Sequence, residues 1–130
     1  MIYSGHHPTF RWTSSGLDAY AFGENGVQFN RFVRFDQYGI YGIDGINNEL
    51  ENIWKPSNEL DIWDNANFGM TWKGFFIKNR ENDGWVEVSS ENDVAIFKEG
   101  LEEPKIKIGR LGKDVKNNII YGIKIADNEG

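Results

Sequence analysis

The residues best spaced to hold an ion are Asn79, Glu81 and Asp83, oxygen donors at alternate positions followed by Gly84. That is how a calcium loop begins, with the glycine making the bend. The closing position, where a bidentate glutamate is needed, holds Ser90, and Glu91 falls one residue late. Strand-like sequence flanks the run on both sides, so a hairpin connection is the preferred reading and no metal is expected. His6 and His7 are the two histidines. Neighbours in an extended segment point to opposite sides, so they cannot easily share one metal. Carboxylate pairs such as Asp61/Asp64 or Glu102/Glu103 raise glycosidase chemistry, which needs two carboxyls facing across a cleft, one with a raised pKa. With 20 acidic residues, chance pairs are expected. Ser14 and Ser15 lack a nearby histidine and a nucleophile-elbow setting. The run from Gly39 to Gly42 lacks the helix and the Lys-Ser/Thr pair of a phosphate loop. The expectation is a protein that is not an enzyme and carries no cofactor.

The aromatic residues support one binding hypothesis. Trp54 and Trp63 lie in polar sequence and Trp85 starts a strand-like run. An exposed indole offers a sugar ring an apolar face and an N–H donor. The competing reading places all five tryptophans in a core or a subunit interface.

Short strands must position these groups. A glycine recurs after a polar or aromatic approach and before alternating apolar residues, at Gly16, Gly39, Gly74 and Gly122. Each copy reads as strand, a bend that only glycine takes cheaply, and strand. Strands are expected over 9–13, 17–22, 31–35 and 40–43, separated by Ser14-Ser15-Gly16, Gly23-Glu24-Asn25-Gly26 and Asp36-Gln37-Tyr38-Gly39. Over 44–65 glycine, asparagine and glutamate dominate and Pro56 interrupts. This reads as a long loop with a helical turn near 58–63, and so long a loop often has a job. Strands resume over 68–72, 75–78, 85–88, 94–98, 106–108 and 119–126. The bend glycines are unevenly spaced, which does not fit a solenoid of fixed period. The fold expected is all-β: one elongated module over 1–130, with sub-units 1–45 and 66–130 joined by the loop 46–65.

Composition narrows the partners. At 130 residues, 39% hydrophobic and 15% aromatic, the chain can bury a core. Apolar runs are too short for a transmembrane helix, and the start has no basic region ahead of an apolar stretch, so no signal peptide is expected. There is no cysteine, which removes disulfides and thiol chemistry. A net charge of −6 argues against nucleic acid and against an anionic membrane. The basic cluster Lys105, Lys107, Arg110 and Lys113 lies among Glu102, Glu103 and Asp114. Both ends read as cut, so a fragment of a longer polypeptide is expected.

Two stretches carry a resemblance. They are Phe10-Arg11-Trp12-Thr13-Ser14-Ser15-Gly16-Leu17-Asp18-Ala19-Tyr20 and Phe32-Val33-Arg34-Phe35-Asp36-Gln37-Tyr38-Gly39-Ile40-Tyr41-Gly42-Ile43. Together they resemble the tail-tip or baseplate minor structural proteins of long-tailed bacteriophages and prophages of Gram-positive bacteria. The stretch from Asn65 to Phe76, Ile106-Lys107-Ile108-Gly109-Arg110-Leu111 and Tyr121-Gly122-Ile123-Lys124-Ile125 resemble the same proteins, in the same order. The resemblance implies a homotrimeric β-rich virion component, made in the bacterial cytoplasm. It would link the tail to host-recognition parts and contact other tail or baseplate proteins. Cell-wall saccharide, met through Trp54, Trp63 or Trp85, is the alternative partner. The family supplies no catalytic residues to carry over.

Overall fold

The computed structural model describes residues 10–22, 28–49, 53–79, 84–98 and 102–126. His6, His7 and residues 80–83 of the calcium-like run lie outside them. The chain is all-β, with ten antiparallel strands and one short helix among the described residues. Its contacts divide it into two units, 1–72 and 73–130. In each unit every strand pairs with its neighbour in sequence.

The first unit holds β1 (Phe10–Thr13), β2 (Gly16–Phe22), β3 (Gln28–Asp36), β4 (Gly39–Glu49), α1 (Glu59–Asn65) and β5 (Phe68–Thr71). Its tight turns are fixed by the residue that ends the incoming strand. Thr13 Oγ1 accepts from the N–H groups of Ser15 and Gly16 at 3.0 and 3.2 Å. Asp36 Oδ1 accepts from the Tyr38 N–H at 2.8 Å. A short polar side chain thus supplies the acceptor that the turn would otherwise lack.

The glycine that follows each turn meets the next strand closely. Gly39 has φ +137°, and a Cβ there would lie 2.0 Å from the carbonyl oxygen of Met70. Gly16 and Gly74 stand in the same way against the Phe35 and Val88 carbonyls, with φ +146° and +143°. Gly122 differs. It lies inside a strand, outside the left-handed region, with Leu111 packed over it; Gly109 and Gly112 of the facing strand have the positive φ.

The segment expected to be a loop over 44–65 is partly regular. β4 continues to Glu49 because β3 is long enough to pair with it, out to Gln28 opposite Glu49 with a bulge between Phe29 and Arg31. Pairing overrides the glycine- and asparagine-rich composition. Asn58 then caps α1, its Oδ1 accepting from the Asp61 N–H at 2.9 Å. Asp61 accepts from the Ser57 N–H and the Asn65 side-chain amide, so it is spent on the helix start.

The second unit comprises β6 (Gly74–Lys78), β7 (Trp85–Ser89), β8 (Asp93–Phe97), β9 (Ile106–Lys113) and β10 (Ile119–Ile125). Two of its turns use a polar side chain in the same way, Ser89 at the end of β7 and Asp114 just after β9. Ser89 Oγ accepts from the Asn92 N–H at 2.9 Å, and Asp114 Oδ1 from the N–H groups of Lys116 and Asn118 at 2.8 and 2.9 Å.

Candidate functional site

Residues directly opposite each other on paired strands share a face of the sheet. In the first unit one face carries Asp18, Arg34 and Tyr41 in register, beside Tyr20, Phe32 and Ile43. The segment from Ile53 to Ala66 covers it, burying Ile53, Ile62, Trp63 and Ala66. Arg34 and Asp18 are paired here with both side chains 0% exposed. Arg34 Nε donates to Asp18 Oδ1 at 2.6 Å and Nη2 to Oδ2 at 3.3 Å. Its Nη1 donates to the Trp54 carbonyl at 2.9 Å and to the Tyr41 hydroxyl at 3.3 Å. The Tyr41 hydroxyl donates in turn to Asp36 Oδ2 at 2.5 Å. Burial works against the arginine charge, but the bonds to Asp18 and Tyr41 outweigh it and hold Arg34 above its ordinary pKa. The network ties β2, β3 and β4 to the covering segment. Its side chains are engaged by structural partners.

Two phenols in this layer titrate late. Burial, then the Asp18 carboxylate, pushes Tyr20 from 10.0 up to about 12. Burial and the bond to Asp36 raise Tyr41 as well. The native state therefore holds these protons more tightly than the unfolded chain does. Their stabilisation is complete below pH 10 and is lost as pH rises through the native values. Unfolding followed with tyrosinate absorbance should show stability falling between pH 10 and about 12, and a shallower fall in Tyr20→Phe. A stability flat across that window would contradict the assignment.

The second unit repeats the arrangement with a carboxylate at its centre. Phe76, Glu87 and Ala95 are in register and buried. Glu87 accepts from Trp85 Nε1 at 2.7 Å, from the Ser89 hydroxyl at 2.5 Å and from Asn92 Nδ2 at 3.3 Å. Three donors satisfy this buried acid.

The opposite faces are the reverse. In the first unit Trp12, Leu17, Phe35, Ile40 and Met70 form one cross-strand ladder, and Phe10, Ala19, Val33, Gly42 and Phe68 the next. In the second unit Phe75, Val88, Val94, Ile108 and Ile123 form one, and Ile77, Val86, Ile96, Ile106 and Ile125 the other. Most of these side chains are exposed, and no charged residue interrupts the ladders. Each unit therefore buries its polar network and leaves its apolar face open. A lone chain ordinarily does the opposite, and contiguous apolar patches beyond a few hundred Å² mark interaction surfaces.

The sequence-named indoles are packed. Trp63 is 7% exposed, and its Nε1 donates to Thr71 Oγ1 at 2.9 Å. Trp54 meets the Tyr41 ring edge-on at 6.0 Å between centroids. Trp85 stacks on Phe97 at 4.3 Å, with the Lys78 ammonium 5.1 Å from its ring. The exposed indoles are two others, Trp12 at 80% and Trp72 at 85%. Trp72 Nε1 donates to the Gln37 carbonyl at 3.3 Å. Trp12 borders an open cleft of ≈ 430 Å³ lined also by Ser14, Ser15, Gln37, Tyr38 and Lys55. Their setting, one residue before a turn and one inside it, was the available signal.

Among the described residues no cluster of three or more metal-ligating side chains exists, and no helix is long and apolar enough to cross a membrane. Asp64, Glu102 and Glu103 are exposed. No family model, no curated protein and no solved structure matches this chain.

Proposed function

We propose that this chain is a non-catalytic structural module that works as a homo-oligomer, its open apolar faces closed by further copies of itself. The observation that carries this reading is the inversion of faces, with ion pair and carboxylate buried and twenty apolar or glycine ladder positions turned outward. An uncharged flat ladder is complementary to another ladder of the same kind, and copies are always present in equal number. The trimeric state and the setting, a phage tail tip or baseplate in the virion joining the tail to host-recognition parts and other tail proteins, come from the sequence resemblance.

Light scattering after size exclusion tests it. A trimer is expected over a range of concentrations. Phe35→Lys and Ile77→Lys, on exposed ladder positions, should yield smaller species with unchanged circular dichroism. A monomer at every concentration would overturn the reading.

The exposure of Trp12 and Trp72 favours one second reading, a module that stacks cell-wall saccharide at the turn end of the first unit. Ser14, Ser15, Gln37 and Lys55 supply the polar rim. The two readings divide on Trp12, which an assembled ladder covers and a saccharide site leaves open. A fluorescence shift on adding cell-wall polysaccharide, lost in Trp12→Ala, would favour the second.

A further inference from the structure

Among the described residues, the outer half of the β9–β10 hairpin pairs with no third strand. β8 pairs with β9 at Ile106, Lys107 and Ile108, and the ribbon then runs on to its turn unsupported. Every residue over 110–121 is exposed. An isolated two-stranded ribbon is marginal in water, yet this one is built with care. Asp114 holds its turn through the N–H groups of Lys116 and Asn118, and Arg110 is tied to Asp93 at 2.9 Å. Both of its faces carry exposed apolar side chains beside basic ones. Tyr121 lies opposite Arg110 on one, Leu111 packs across Gly122 on the other, and Val115 and Ile119 sit at the end.

Its charge is opposite to that of the remaining chain. Residues 105–126 hold Lys105, Lys107, Arg110, Lys113, Lys116 and Lys124 against the single acid Asp114, a net of +5. The whole chain is −6, so the other residues carry −11. We propose that the β9–β10 ribbon is a basic docking arm received by the acidic surface of a second copy of this chain. The proposal rests on the self-association reading above and names the element that reaches across. The described residues of its own chain leave the arm exposed, and a second copy has both a net negative charge outside its own arm and open apolar ladders. A polyanion would use the lysines but would leave Leu111, Val115, Ile119 and Tyr121 in water.

The absence of cysteine makes the test clean. Val115→Cys, fully exposed at the arm's end, gives a single thiol for a photoreactive cross-linker. The labelled chain is assembled in a mixture of isotopically heavy and light copies. Cross-links joining heavy to light chains are expected. Separately, Lys113→Glu/Lys116→Glu/Lys124→Glu should weaken association by about tenfold or more and remove its sensitivity to salt. If the protein is oligomeric but cross-links stay within one chain, or the triple variant associates like the wild type, the arm proposal fails and the self-association reading stands. A monomer throughout overturns both. Binding of the wild type to heparin without inter-chain cross-links would replace the second copy with an anionic polymer.

Discussion

Arg34→Ala is expected to destabilise the first unit by about 3–5 kcal/mol, enough to unfold most domains of this size. The reason is what remains behind. Asp18 would keep its charge in a fully buried position, where the Tyr20 hydroxyl donates to its Oδ2 at 3.3 Å. The Trp54 carbonyl would lose the Arg34 donor, and with it that tie from β3 to the covering segment. Removing both charges tells a different story. Asp18→Leu/Arg34→Met should recover most of the loss, because a buried ion pair contributes little net stability over well-packed apolar groups. Urea denaturation of the two variants beside the wild type checks both statements. A single-variant loss below about 1 kcal/mol would show that the pair is not sealed from water.

Gly39→Val carries the second large effect, for a steric reason. The left-handed φ alone costs a β-branched residue roughly 1–3 kcal/mol. The Cβ would also enter the space of the Met70 carbonyl, where β4 pairs with β5, and backbone cannot give way as a side-chain end can. A total of about 3 kcal/mol or more is expected. Gly122→Ala is the matched control, since its Cβ would meet only the flexible side chain of Leu111, nearest at Cδ1 with 3.0 Å. Its cost should stay under about 1 kcal/mol. Thermal melts of the pair decide the matter, and equal losses would remove the close-approach argument.

The strands and their tight turns could be read from the sequence because both signals are local. Alternation marked Phe75–Lys78 and Trp85–Val88, and Ser14-Ser15-Gly16 and Asp36-Gln37-Tyr38-Gly39 marked turns. Which face of each strand is buried was not local. In Arg31-Phe32-Val33-Arg34-Phe35 the two arginines are three apart among apolar residues and so fall on opposite faces, and a rule of polar residues outward sends Arg34 to solvent as readily as Arg31. The structure sends it inward because Asp18, sixteen residues earlier, and the Trp54 carbonyl, twenty later, converge on it. That convergence also explains the indoles. Trp54 and Trp63 sit in polar sequence, yet they belong to the segment that roofs the network, whereas Trp12 falls on the uncovered ladder. The length of β4 was hidden for the same reason, since its partner on β3 and not its own composition sustains it.

Sequential pairing has a consequence for how fast the protein matures. When each strand pairs with the next in the chain, most loops to be closed are short and the entropy lost at each such closure is small, the longer one being the segment with α1 between β4 and β5. Hairpins of this kind form in about 1–10 μs, and each can template the following one. Within each unit, then, the topology favours fast folding, and the longest closure is the one from β4 to β5 in the first. On the reading proposed here, the slow event is the encounter between finished copies, so maturation would scale with the amount of protein made and would set the clock for assembly.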